Sequence, residues 1–107
     1  MLNITVRYTA TFLRMYKKLY PHLKEEVKEK INLFQDTSNH QKLKVHKLQG
    51  RLDNVYSFSV NYKIRIIFEY EKADIVNLLQ VGSHDEVYLI RDAEETIDIH
   101  QNLRKIS

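Results

Sequence analysis

Cysteine is absent from this chain of 107 residues, and glycine and proline are scarce, with two and one residues respectively. Without cysteine there is no disulfide, cysteine-ligated zinc, iron–sulfur cluster or cysteine nucleophile. Two glycines are too few for a glycine-rich phosphate loop, and no apolar run is long enough to cross a membrane. The first residues also lack the apolar segment of a secretion signal. We therefore expect one soluble domain located in the cytoplasm.

Charge is unevenly distributed along the chain, although the net charge is only +3. Residues 1–84 contain 14 Lys and Arg against 8 Asp and Glu, whereas residues 85–107 contain 3 against 6. The densest basic stretch runs from His40 to Arg51 and contains no acidic residue. Such a stretch suits a polyanion, whose phosphates release counterions on binding, but it also fits a solvated loop.

Apolar periodicity in the first third of the chain predicts one strand and two helices. Residues 3–8 alternate between apolar and polar side chains, which indicates a short strand. Apolar residues then recur at helical spacing, which predicts helices near 10–19 and 21–36. Pro21 suits the first position of the second helix, and the short connection predicts a helical hairpin.

The second half of the chain has a β pattern. Residues 55–70 carry apolar side chains at every even position, which predicts a β-hairpin with a tight two-residue turn near Asn61. Residues 75–82 are apolar on both faces and predict an interior strand of the same sheet. The helices are expected to cover the even face. The odd face is expected to be a polar surface carrying Ser57, Ser59, Lys63 and Arg65.

Together these elements predict an α+β fold, in which an N-terminal strand and a two-helix hairpin pack on one face of a mainly antiparallel four-stranded sheet. We expect this domain to span residues 1–90. Residues 91–107 then form an acidic C-terminal tail, either solvated or folded back as a short helix or an added strand.

Four side chains are candidates for chemistry. His84 follows a predicted strand end, where catalytic groups are often displayed, and His46 lies in the basic stretch. Arg65 on the polar face suits a bidentate phosphate contact, or alternatively a cross-strand pair with an acid such as Glu69. Tyr88 is either a stacking platform or a core residue. No histidine pair has the spacing of a helical metal site, so we expect no metal and no other cofactor.

Three segments in order carry a resemblance to a known family. They are LKVHKLQGRL (43–52), YSFSVNYKIRIIFEY (56–70) and VGSHDEVY (81–88). Together with the helical hairpin before them, they resemble the RelE/ParE superfamily of prokaryotic type II toxin–antitoxin toxins, in its RelE-like mRNA interferase and plasmid stabilisation branch. The resemblance covers about residues 2–88.

This resemblance implies a ribosome-dependent mRNA endoribonuclease that uses the RNA 2′-hydroxyl as nucleophile and needs no metal. By motif, Arg65 corresponds to the phosphate-stabilising arginine and His84 to the general acid. His46 corresponds to a base or RNA-orienting residue, and Tyr88 to an aromatic residue that stacks on a base or assists catalysis. The expected phosphate-binding residues are Lys44, Lys47, Arg51 and Lys63.

The resemblance also leaves alternatives open. Residues 76–81 lack the late arginine that some family members carry in the final strand. Members resembling ParE inhibit DNA gyrase without being nucleases, and others act only as inactive toxin-fold binding proteins. The implied partners are a cognate antitoxin, the ribosome and mRNA, without a membrane.

Overall fold

A computed structural model of the chain describes residues 3–48 and 54–87, and for His84 and Glu86 it describes the backbone alone. The helices and strands, in chain order, are β1 (Thr5–Tyr8), α1 (Ala10–Lys17), α2 (Pro21–Phe34), β2 (His46–Lys47), β3 (Val55–Ser59), β4 (Ile64–Lys72), β5 (Ile75–Ser83) and α3 (His84–Val87). The strands form one sheet in the order β1-β5-β4-β3-β2. Only the β1–β5 pair among these is parallel. The predicted α+β fold is confirmed, and the short edge strand β2 adds a fifth strand to the four expected.

Local chemistry sets the helix boundaries close to the predicted ones. Thr9 caps α1, because its hydroxyl oxygen accepts the Phe12 backbone N–H at 3.1 Å. The same hydroxyl donates to the Leu78 carbonyl at 2.9 Å, which ties the helix start to β5. Pro21 is the first residue of α2, as predicted. After α2 ends, the Asp36 carboxylate accepts the Ser38 N–H, and this bond lowers the pKa of Asp36.

Removing the Thr9 hydroxyl should destabilise the domain. We expect Thr9→Ala to lower the free energy of unfolding by about 1–2 kcal/mol, because the fully buried cap loses its bonds to both α1 and β5. Thr9→Ser keeps the hydroxyl and serves as the matched control. Urea unfolding of both variants makes the comparison, and equal stability of the two would contradict this role.

The main core lies between the two long helices and the even face of the sheet. Phe34 of α2 is fully buried, and its ring stacks on Phe58 with centroids 4.5 Å apart. The edge of Phe68 meets the same ring at 4.9 Å. Ile66 is also buried in this cluster. The prediction that the helices cover the even face is therefore confirmed.

The odd face differs from the open polar surface that was predicted. Val55, Ile67, Leu79 and Val87 form a second apolar cluster there. A register shift after Ile67 adds Leu79 to this side of β5, and α3 brings Val87 onto the cluster. Ser57 is consequently fully buried. Only the end of the face that carries Arg65 and Ser59 keeps the predicted partly open, polar character.

The turn between β3 and β4 also differs from the prediction. The Val60 N–H donates to the Ile64 carbonyl at 2.8 Å, so Val60 continues the pairing one residue past the end of β3, and the turn itself has three residues, 61–63, rather than two. Because this turn has an odd number of residues, the core-facing side chains fall at even positions on both strands. Tyr62 therefore matches the even-numbered apolar pattern although it is a turn residue. Tyr62 nevertheless lies at the tip of the turn and is 92% exposed. Within the described ranges, no helix is long and apolar enough to span a membrane.

Candidate functional site

Arg65 lies near the start of β4, on the odd face and between two small neighbours. Its cross-strand partners are Ser59 on β3 and Gly82 on β5. The guanidinium Nη1 donates to Ser59 Oγ at 3.4 Å, and the side chain is half-buried. Gly82 has no side chain, so it leaves space beside Arg65 on the face where a neighbouring Cβ would otherwise project. Neither cross-strand partner is acidic, unlike the pairing considered from the sequence.

The end of β5 brings a second element to the same place. Ser83 pairs with Ile64, the residue before Arg65, and α3 begins immediately afterwards at His84. The buried side chain of Val87 packs in the second apolar cluster and holds this single helical turn against the sheet. The backbone of His84 is therefore fixed one position beyond the Arg65 end of the sheet.

His46 lies on the edge strand β2, two strands away from Arg65. It pairs with Ser57 and therefore projects from the same face as Arg65. Its Nδ1 lies 2.8 Å from the Lys44 carbonyl oxygen. Because a carbonyl can only accept, Nδ1 carries the proton, and the Nε2 of the neutral ring keeps its lone pair. The His46 ring is exposed to solvent.

The backbone before His46 has an unusual conformation that creates this arrangement. Lys44 has a φ of 58°, in the left-handed region that non-glycine residues seldom occupy. The Ser59 N–H donates to the Leu43 carbonyl at 2.9 Å, which fastens the loop beside the partner of Arg65. Strained backbone of this kind concentrates at functional sites, where the surrounding structure maintains it.

The basic stretch separates into residues with different surroundings. Lys44 and Lys63 are exposed near the Arg65 end of the sheet, and Lys47 is exposed on β2. Lys47 pairs with Tyr56, so it projects from the helical side, opposite His46. His40 is a packing residue, because its ring stacks on Phe34 at 4.6 Å and its Nε2–H donates to the carbonyl of that residue at 2.7 Å.

Some predicted residues lie outside the described part of the chain. These are Arg51, Tyr88 and the tail 91–107. Among the side chains that the structure describes, no three His, Asp or Glu residues gather into a group that could hold a metal ion. The sequence placed Ser59 on the same face as Arg65 and named Lys44 as a basic residue, but it predicted neither the pairing of Ser59 and Gly82 with Arg65 nor the left-handed backbone of Lys44. The pairing depends on the strand register, and the residue type of Lys44 gives no signal of its left-handed φ.

A large groove lies elsewhere, on the helical side between β1, α1 and α2. It has a volume of about 710 Å³. Its apolar lining comes mainly from Tyr8, Phe12, Leu13 and Tyr16. Burial and the neighbouring Tyr16 raise the pKa of Tyr8, which keeps that phenol neutral. Arg65 and His46 are not among the residues that line this groove.

Several solved structures share this fold. YafQ from E. coli strain BL21(DE3) is 15% identical with a TM-score of 0.66, and the match covers 79% of this chain and 98% of that one. The toxin–antitoxin complex RelBE2 from Mycobacterium tuberculosis is 25% identical with a TM-score of 0.61, covering 78% and 100%. The archaeal RelE–RelB complex from Pyrococcus horikoshii OT3 is 16% identical with a TM-score of 0.60, covering 77% and 96%.

Sequence comparisons give a more specific result. A search of curated proteins gives no match. A family model does match, over residues 10–84, and it describes the RelE-like toxin of the type II toxin–antitoxin system HigB. These residues include both long helices, Arg65 and the backbone position of His84. The chain therefore belongs to the family of HigB-like toxins, which are RelE-like toxins of type II toxin–antitoxin systems.

Proposed function

We propose that this toxin is a ribosome-dependent mRNA endoribonuclease that cleaves by metal-free general acid–base catalysis. The observation that supports this most is the shared face of the sheet. Arg65 and the exposed imidazole of His46 project from that face, and the backbone of His84 follows the end of β5 next to the Arg65 end. Cleavage through the 2′-hydroxyl requires a base, an acid and positive charge, and residues of these types supply all three.

The first step is attack by the RNA. His46 Nε2 takes the proton from the 2′-hydroxyl, and the 2′-oxygen forms a bond to the adjacent phosphorus. Negative charge then accumulates on the non-bridging phosphate oxygens. Arg65 faces this charge with a planar guanidinium whose orientation is supported by Ser59.

The second step releases the downstream RNA. The bond between phosphorus and the 5′-oxygen breaks, and His84 donates a proton to the leaving oxygen. The products are a 2′,3′-cyclic phosphate and a 5′-hydroxyl end, so atoms and charge balance without an added reactant. We assign Tyr88 to stacking on a base beside the cut.

Basic side chains around this centre would bind the RNA backbone. Lys44 and Lys63 are exposed at the Arg65 end, and we assign Lys47 and Arg51 to more distant phosphates. The same basic surface suits a cognate antitoxin that covers it with an acidic, partly helical segment. The structurally similar RelBE2 and RelE–RelB are themselves toxin–antitoxin complexes. A toxin that acts on ribosomes and mRNA would act in the cytoplasm, and we propose that location.

The test is to add pure protein to a translating extract and map mRNA ends by primer extension. We expect new 5′ ends within translated codons, and no cleavage of the same RNA without ribosomes. A parallel supercoiling assay with purified gyrase should show no inhibition. Intact mRNA together with blocked supercoiling would contradict the nuclease function and favour a gyrase inhibitor. Intact mRNA with normal supercoiling would indicate an inactive binding protein.

A further inference from the structure

The tip of the β3–β4 turn presents an aromatic ring to solvent. Tyr62 is 92% exposed, whereas most other tyrosines of the described ranges are at least partly covered. A large ring on a protein surface is ordinary by itself. Its placement beside the proposed cleavage site gives it a role. We propose that Tyr62 is a stacking platform for a base of the RNA substrate, and this inference rests on the proposed function.

The turn that carries Tyr62 is rigid. The Asn61 side-chain oxygen accepts the backbone N–H groups of Lys63 at 2.7 Å and Ile64 at 2.8 Å. The Asn61 amide also donates to Glu26 of α2 at 2.6 Å, which ties the tip to the helical layer. The backbone of Tyr62 is therefore fixed before RNA binds. Less conformational entropy is lost when a base stacks on the ring.

Strand register places the tip next to the reacting groups. Ile64 pairs with Ser83, so Lys63 in the turn and His84 at the start of α3 are the residues next to the ends of two adjacent strands. Tyr62 and Arg65 are three positions apart in the sequence, so their Cα atoms are at most about 11 Å apart. A phosphate held by Arg65 and Lys63 thus leaves the base of a neighbouring nucleotide within reach of the Tyr62 ring.

Tyr20 shows that exposure alone does not make such a platform. It is 71% exposed at the junction of α1 and α2, but its ring already stacks on His22, with 6° between the ring planes. It also lies on the helical layer rather than at the Arg65 end. Tyr20 is therefore a matched control, since it is a second exposed tyrosine with no proposed contact to RNA.

The stacking role predicts a change in substrate affinity rather than in the chemical step. Stacking of one base on an aromatic ring is worth about 5-fold or more in binding. In mRNA cleavage on purified programmed ribosomes, Tyr62→Ala should raise KM at least about 5-fold and leave kcat within about 2-fold. Tyr62→Trp should restore KM, whereas Tyr62→Leu, which keeps apolar area without a π face, should not. Tyr20→Ala should behave as wild type.

Each outcome decides the inference. If wild type cleaves and Tyr62→Ala has an unchanged KM, the stacking role is wrong while the nuclease function stands. If Tyr62→Leu restores KM as well as Tyr62→Trp, the tip makes an apolar contact and not a base stack. Weaker antitoxin binding without a KM change would make the tip a protein contact and would also overturn it. Intact mRNA with wild type removes the proposed function and this inference together.

Discussion

Arg65→Ala should slow mRNA cleavage on programmed ribosomes by about 10²- to 10³-fold, the usual cost of removing one group that stabilises transition-state charge. The guanidinium is oriented by Ser59 and stands beside Gly82, where no side chain separates it from an incoming phosphate. Because the loss concerns the transition state, kcat should fall much more than KM rises. Single-turnover rates from primer extension provide the measurement.

Two further variants test whether the loss of activity is specific to the guanidinium of Arg65. Arg65→Lys retains the charge but loses the planar fork, so we expect it to recover only part of the rate. Arg7→Ala is the matched control, because Arg7 is also a strand arginine but lies on β1 and is bonded to Glu71 at 3.1 Å. Arg65→Ala should keep a thermal unfolding midpoint near that of wild type. Full activity in that folded variant would rule out Arg65 as the charge-stabilising residue.

His84→Ala should slow cleavage by at least about 10²-fold, in line with the loss of a positioned general acid. The backbone of His84 lies at the start of α3, directly after Ser83, which is the cross-strand partner of Ile64. His22→Ala is a suitable control, since His22 lies near the start of α2 on the helical layer. The rate is again measured by primer extension on programmed ribosomes.

A modified RNA distinguishes a general acid from other functions of His84. Replacing the leaving 5′-oxygen by sulfur at the cleaved linkage gives a thiolate, which departs without a proton. The wild type and His84→Ala should therefore cleave this RNA at similar rates, whereas a His46→Ala variant should stay slow. A defect of His84→Ala that is equally large on the sulfur-containing RNA would show that His84 is not the acid.

The fold was largely predictable because its main signals are local. The even-position alternation of residues 55–70 reflects a buried sheet face, and Phe58, Ile66 and Phe68 are indeed in the core. Tyr62 is the exception, because a three-residue turn keeps the even spacing and makes a turn residue look like a core residue. Parity reports the face of a strand but not where the strand stops.

The odd face and the site depended on contacts that no local pattern contains. The second apolar cluster joins Val55 and Ile67 to Leu79 and Val87, which come from later in the chain and from a register shift. The assignment of Arg65 and His84 to the site comes from the family resemblance and stays a prediction. The orientation of His46 depends on the left-handed φ of Lys44, which residue type does not reveal.

The parallel pairing of β1 with β5 has a consequence for how the protein is made. Synthesis proceeds from the N-terminus, so β1 emerges early but must wait for the last strand before its edge is paired. Until then β1 and β4 each lack the neighbour that β5 provides, and pairing between strands so far apart in sequence is intrinsically slow. The strand that completes the sheet also delivers Gly82 and leads into His84. Translation products that end before Ile75 therefore lack β5, so their sheet is incomplete and the proposed site is not assembled.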